Sequence, residues 1–408
     1  MTSRVARPPV VLLGLDCITG LQSARILARH EVPVVGVAGD LRHFAARTRV
    51  CREIRRADLT SAGLVDALLA WRHELAGAVL LPCTDLTVSL VSDAQHRLAE
   101  HYLFALPDHS VTRLLMDKSA FAAYADGAAL AVPRSIVLDD RHGAERAAAE
   151  LSYPVVVKPP LKSPTWTRHT KERAFVVDSP AELLATYDRV HTWAPTLVGQ
   201  EWVPGDETAL YSCNAYFDST SQPLVTFVAR KLRQWPPVTG TSAAGEECRN
   251  DEVLTQTVKL FTGLGYRGLA YLEMKRDPRS GRHYVIEPNV GRPTGRSAIA
   301  EGAGVELLYT MYCDLVGLPL PDARTQRYGR TVWVDIRRDA QAALHAWRAG
   351  TLRPGAWWRS LRGHRAHAVW APRQDPAPFW YDLAQSAQKL LPRWVTRGRA
   401  TPPGDGTS

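Results

Sequence analysis

Residues 271–296 read Y-L-E-M-K-R-D-P-R-S-G-R-H-Y-V-I-E-P-N-V-G-R-P-T-G-R, and the reading of this stretch decides the fold. Two apolar-rich runs, 269–275 and 283–287, flank Asp277-Pro278-Arg279-Ser280-Gly281, a cluster of turn formers. The pattern predicts a β-hairpin. Side chains alternate faces along a strand, so Glu287 and Asn289 point the same way. Folding about the turn brings Glu273 close to opposite Glu287, give or take a bulge. Like charges facing each other across a ladder repel. A divalent cation between them removes that penalty. Two carboxylates and an amide oxygen are hard donors, the kind Mg²⁺ takes while keeping waters and bridging to phosphates. Arg292 and Arg296 follow in a Gly-rich loop, suited to anionic oxygens. A surface hairpin with solvated acids fits the same residues, so the upstream sequence decides between the two.

With 408 residues the chain has room for roughly two to four domains. Its composition, 45% hydrophobic and 22% charged, is that of a globular protein. The net charge of +9 is modest for this length and suits anionic ligands such as nucleotides without implying nucleic acid. The six cysteines include no C-x-x-C pair, so neither a zinc site nor a disulfide framework is expected, and a cytoplasmic location is the simplest. The apolar run at 10–15 is too short for a signal peptide, and no run approaches the ~20 apolar residues of a membrane span.

Residues 1–110 alternate strand and helix patterns, which predicts a parallel, doubly wound sheet. Gly14 and Gly20 flank the first turn and Asp40 follows the second strand, an arrangement that invites a dinucleotide reading. However, the loop G-L-D-C-I-T-G lacks the three-glycine fingerprint. Asp16 and Asp85, at carboxyl ends of strands, are expected to cap helices. Asp117 is expected to cap a helix that opens at Lys118, a position unfavourable for a cation unless an anion is bound. The strand V-V-V-K ends at Lys158, which can present an ammonium to phosphate. The polar segment 160–171 is expected to form a loop over it. Along Q-E-W-V-P-G-D-E, backbone groups of Glu201 to Val203 can meet a purine edge, and Glu207 can accept from ribose hydroxyls. The stretch R-K-L-R-Q-W-P-P forms a dense positive site, and 240–247 is expected to be a mobile loop. Each segment alone also has a plain structural reading.

The order of parts, Lys118, V-V-V-K at Lys158, Q-E-W-V-P-G-D-E at Gln200 to Glu207, Glu273, and E-P-N at Glu287 to Asn289, resembles the ATP-grasp superfamily over about residues 10–320. K-L-R-Q-W-P-P and the Trp166/Lys171 loop resemble its carboxylate–amine ligases, the group containing D-aspartate ligase. The resemblance implies an N-terminal doubly wound parallel α/β domain (1–110). A two-lobed α+β ATP-grasp domain follows (small lobe 111–195, large lobe 196–320), then a small, mostly helical C-terminal region (321–408). It implies ATP and Mg²⁺, with Mn²⁺ as an alternative ion. Lys118 and Lys158 would hold the α- and β-phosphates, and Gln200, Glu201 and the Val203 backbone would meet adenine. Glu207 would bind ribose, and Glu273, Glu287 and Asn289 the metal. Lys231 and Arg233 would face the γ-phosphate or the acid, and Arg292 the transferring phosphate. Two departures stand out: residues 160–170 contain no glycine, and Asn289-Val290-Gly291-Arg292 replaces the usual Asn-Pro-Arg.

These residues suit a ligase that phosphorylates a small-molecule carboxylate and joins it to an amine. Segments 160–171 and 240–247 are the expected lids. Residues 321–408 are rich in Trp and Arg, with helical patterns at 339–349 and 379–391. An accessory helical subdomain is the leading reading there, with peripheral membrane contact as the alternative and nucleic acid last. A homodimer is a further expectation. The competing functions are a nucleotide-binding or membrane-peripheral module without turnover, and an NAD-dependent oxidoreductase.

Overall fold

The computed structural model describes residues 7–390 apart from 129, 161–163, 173, 238–239 and 372. The first sheet holds β1 (Val10–Leu13), β2 (Val34–Ala38), β3 (Glu53–Arg56) and β4 (Val79–Pro82), all parallel, in the order β3-β2-β1-β4. The central strands V-V-L-L and V-V-G-V-A are buried throughout, as helix-covered parallel strands require. Cys17, not Asp16, caps the helix Ile18–Arg29; Asp16 Oδ2 instead accepts from the amides of Gly39 and Asp40, tying the ends of β1 and β2 together. Likewise Thr84 caps Asp85–Asp93 through a capping box, leaving the Asp85 carboxylate to face outward from the first turn.

The second sheet contains β5 (Ser135–Leu138), β6 (Val155–Lys158), β7 (Phe175–Val177) and β8 (Leu197–Glu201), in the order β5-β8-β6-β7. Helices Arg141–Glu150 and Pro180–Val190 cover one face, burying Ala144, Ala147, Leu183 and Val190 against Val155, Val157 and Leu197. The segment expected to be a polar loop contains a short helix, Pro164–His169; residues 161–163 lie outside the described residues.

The third sheet is the largest: β9 (Leu210–Phe217), β10 (Pro223–Trp235), β11 (Thr241–Glu247), β12 (Gly268–Arg276), β13 (His283–Val290), β14 (Thr331–Val334) and β15 (His364–His367). Its order is β13-β12-β9-β10-β11-β14-β15. Helix Asp251–Gly263 covers one face with Val253, Leu260 and Phe261. On the opposite face, Tyr216, Phe227 and Ala229 share a core with helix Leu307–Val316 and with Leu12 and Leu27 of the first sheet's layer. After the hairpin the chain forms two helices, Ser297–Gly302 and Leu307–Val316. Residues 240–247 are not a loop. Their small side chains pack as β11 between β10 and β14, and long-range pairing outweighs a polar, glycine-containing local sequence. The C-terminal region is helical over Ile336–Arg348 and Ala377–Leu390 but also supplies β14 and β15, so it extends the large sheet.

Candidate active site

Strand register builds the site. In the hairpin, Glu273 stands opposite Glu287 and Tyr271 opposite Asn289, with a bulge beginning just past Glu273. On the other side of β12, Glu273 faces Ser212 and Tyr271 faces Asn214. Ser212 in turn faces Ala229 on β10, two residues before Lys231. Alternation therefore places Asn214, Lys231, Glu273, Lys275, Glu287 and Asn289 on one face.

Glu273 is the best-held acid. Its Oε2 accepts from Arg296 Nη2 at 2.8 Å and from the Tyr271 hydroxyl at 2.9 Å. Burial pushes its carboxyl up, but Lys231, Arg296 and the Tyr271 hydrogen bond outweigh that and hold it down at about 2. Arg296 also donates to Ser212 Oγ (2.8 Å) and Ser242 Oγ (3.2 Å) and lies over the Tyr271 ring. The like-charge penalty in the hairpin is thus offset in part by cations of the protein itself. Asn289 Oδ1 accepts from Arg292 Nη2, and Arg292 Nε reaches Asp85 at 2.5 Å. Burial would lower the Arg292 pKa, but Asp85 raises it on balance. This contact joins the first domain to the site. It depends on Gly291: at φ +67°, an added Cβ would sit 2.3 Å from Leu106 Cδ2.

The second sheet supplies the facing wall. Lys158 Nζ donates to Gln200 Oε1 at 2.7 Å, and Gln200 Nε2 donates to Ser135 Oγ at 2.9 Å. Burial, and then Lys118, push the Lys158 ammonium down to about 8, against the pull of Glu287. Lys118 and Glu287 therefore both lie within electrostatic reach of Lys158. Asp117 caps the helix Lys118–Gly127 through the amides of Ser119 and Ala120, as expected. Glu201 is engaged elsewhere: its carboxylate accepts from Ser152 N and its amide donates to Arg134 O. Its peptide carbonyl, followed by the buried Val203, is what remains for a ring edge. Glu207 opens a short 3₁₀ turn and accepts from Gln234 N at 3.0 Å. Burial raises its pKa, with Gln234 N and Lys231 opposing.

Lys231 is buried and donates to Gln234 Oε1 at 3.0 Å. Arg233 does not join it. Lys231 pairs with Gly245 and Arg233 with Ala244, so the extra residue, Leu232, turns Arg233 to the opposite face. There Arg233 binds Asp339 Oδ1 at 2.5 Å and Ser360 Oγ at 2.8 Å, and Asp339 also accepts from Trp357. The expected pairing of Lys231 and Arg233 on one anion is thus broken by the bulge.

Glu273, Glu287 and Asn289 form an all-oxygen set on one face, and among the described residues no cluster of three His, Cys, Asp or Glu exists. That set fits a hard cation that completes its shell with phosphate and water oxygens.

No family model matches the chain. Its structure superposes on that of N5-carboxyaminoimidazole ribonucleotide synthetase in an ADP complex with a TM-score of 0.63. The two are 15% identical, and 85% of this chain and 87% of that one are covered. The biotin carboxylase domain of 2-oxoglutarate carboxylase from Hydrogenobacter thermophilus, solved with MgADP and bicarbonate, superposes with a TM-score of 0.62. Here identity is 14%, over 80% of this chain and 73% of that one. The chain has the ATP-grasp fold. In sequence, the chain is 24% identical to D-aspartate ligase of Enterococcus faecium over 229 residues, 54% of each protein. It therefore spans about half the length of the curated relative it matches.

Within the cleft, several residues lie outside the motifs. Lys275 is buried two positions beyond Glu273, with its ammonium 4.2 Å from the centre of the Trp202 ring. Burial, then Lys231, lower it to about 8. Alternation from Glu273 could have found Lys275 and Tyr271. Ser212, Ser242, Asn214 and Gln234 needed the sheet order.

Proposed function

We propose that the chain is an ATP-dependent ligase that activates a small-molecule carboxylate as an acyl phosphate and joins it to an amine, releasing ADP and phosphate. The observation that carries this reading is the meeting of two walls. Glu287, which faces Glu273 in the hairpin of the large sheet, lies within electrostatic reach of Lys158 on the second sheet, and so does Lys118.

In this reading Lys118 and Lys158 hold the α- and β-phosphates. Gln200 orients Lys158, and the backbone from Glu201 to Val203 borders adenine. Glu207, held by Gln234, receives the ribose hydroxyls. Lys231 meets the γ-phosphate, and Arg292, oriented by Asp85 and Asn289, meets the phosphoryl group in transfer. Glu273, Glu287 and Asn289 would hold Mg²⁺, or Mn²⁺, which shares its preference for oxygen. Bound there, such an ion would supply positive charge to the phosphate oxygens, easing the shift of charge toward ADP. A carboxylate oxygen of the substrate attacks the γ-phosphorus and the bond to ADP breaks. The amine nitrogen then attacks the acyl carbon, and phosphate leaves with the former carboxylate oxygen. Arg233 is given a positioning role on β10 and no contact with substrate. The acid and the amine are small molecules, the cytoplasm is the fitting compartment, and a homodimer is the expected assembly. Among the described residues no helix is long and apolar enough to cross a membrane.

The test is product analysis after incubation with MgATP and pooled carboxylates and amines. ADP and phosphate should appear only when one acid pool and one amine pool are both present, and should vanish in Glu287→Ala. AMP and pyrophosphate would refute the acyl-phosphate route.

A further inference from the structure

Residues 321–408 contain fifteen Lys and Arg but only six Asp and no Glu, so this segment carries a charge of +9, equal to the net charge of the whole chain. Most of its acids are withdrawn from the surface. Asp335, Asp339 and Asp375 are buried, on Arg338, Arg233 and Arg25, and Asp382 pairs with Arg337. Arg330, Arg348, Arg353, Arg359, Arg362 and Arg373 remain exposed.

The two long helices of this segment turn apolar side chains outward. On Ile336–Arg348, the exposed residues Ile336, Ala340, Leu344 and Trp347 fall at intervals of four, four and three, which is one helix face. The opposite face, with Asp339, Ala342 and Ala343, is buried. On Ala377–Leu390, Trp380, Leu383, Ala384 and Ala387 form a second exposed stripe. Trp347 is 58% and Trp380 56% exposed. The stripes adjoin. Arg337 binds Asp382 at 3.2 Å across the two helices, and Ile336, Trp370 and Phe379 line one cleft. Trp370 meets Trp380 edge-on at 6.0 Å. Contiguous apolar surface rimmed by charge marks an interaction site.

We propose that this face docks on an anionic lipid surface. Trp347, Trp380, Leu344 and Leu383 enter the headgroup boundary, and the exposed arginines of this segment, Arg348 beside Trp347 first, meet lipid phosphates. The uniform positive charge selects this occupant. A second copy placed face to face would set arginines against arginines, whereas an acidic bilayer complements both the charge and the apolar stripes. The proposal does not depend on the reaction at the ATP-grasp cleft.

The test is flotation of the full chain with phosphatidylcholine vesicles, with and without phosphatidylglycerol. The chain should float only with the acidic vesicles, less so at high salt, and brominated acyl chains should quench its tryptophan fluorescence. The variant Trp347→Ser/Trp380→Ser, altered only at exposed positions and checked for unchanged melting, should lose roughly tenfold or more in partitioning. Arg348→Glu, beside Trp347 on the exposed end of the helix, should weaken binding to the acidic vesicles. Absence of flotation, equal binding to neutral vesicles, or unchanged partitioning of the double tryptophan variant would each overturn the proposal. So would a lipid-free dimer that this variant dissolves, or retention on RNA without vesicle binding.

Discussion

Lys158 ends a strand whose other residues are buried valines, and its ammonium donates to a neutral acceptor, Gln200. Its value of about 8 lies below the ordinary lysine value of 10.5 because burial, then Lys118, disfavour the charge. The sign follows. Between these two values the unfolded chain holds a proton that the folded chain lacks, so without nucleotide this group makes stability rise with pH across that window. A bound phosphate reverses the preference. Nucleotide binding at pH 8.5 to 9 should therefore take up protons, seen as a buffer-dependent heat in calorimetry, and Lys158→Arg should reduce the uptake, leaving the part due to Lys275. Arg296 makes the complementary case. It holds Glu273, whose stabilising contribution is complete above the ordinary carboxylate range and is lost as pH falls toward about 2. Arg296→Ala removes a charged hydrogen bond from Glu273 but leaves Lys231 and the Tyr271 hydroxyl, and should cost about 1.5–3 kcal/mol in denaturant unfolding. Glu273, Glu287 and Asn289 were legible because strand alternation is local. The hold of Arg296 on Glu273 was not, because its other partners, Ser212 and Ser242, come from strands that no local pattern assigns to neighbouring positions.

At the level of elements, β10 does two jobs from two faces. Before its bulge it carries Lys231 into the cleft; after it, Arg233 anchors the strand to helix Ile336–Arg348 through Asp339. The two cations should separate on substitution. Lys231→Met should abolish turnover with the fold retained. Arg233→Met should lower stability by about 3–5 kcal/mol, the cost of leaving Asp339 buried without its partner, while nucleotide affinity measured on the folded fraction changes little. Paired denaturation and nucleotide titration check both. The hairpin and the capped start at Lys118 were each readable, since turn residues, strand alternation and caps act within a few positions. β11 was not. A stretch of Thr, Ser, Ala and Gly becomes a strand only because β10 and β14 supply its hydrogen bonds.

On the scale of the whole molecule, three sheets share the labour: one scaffold and two walls of a cleft. The sequence pointed to this architecture through the order of its motifs, while the C-terminal region read as an appendage. In fact β14 pairs with β11, and Trp333 lies buried in the core shared with the N-terminal layer. Deleting residues 321–408 would unpair that edge and expose the core. The truncated chain should therefore lose cooperative unfolding by calorimetry, whereas an independent appendage would leave the main transition unchanged. The central claim is that phosphate passes to a carboxylate before the amine arrives. Once the acid is identified, a single turnover with its carboxylate labelled with heavy oxygen, followed by mass analysis of the products, tests this most directly. The account predicts one labelled oxygen in the released inorganic phosphate and none in ADP. Label recovered in AMP, or unlabelled phosphate, would contradict it.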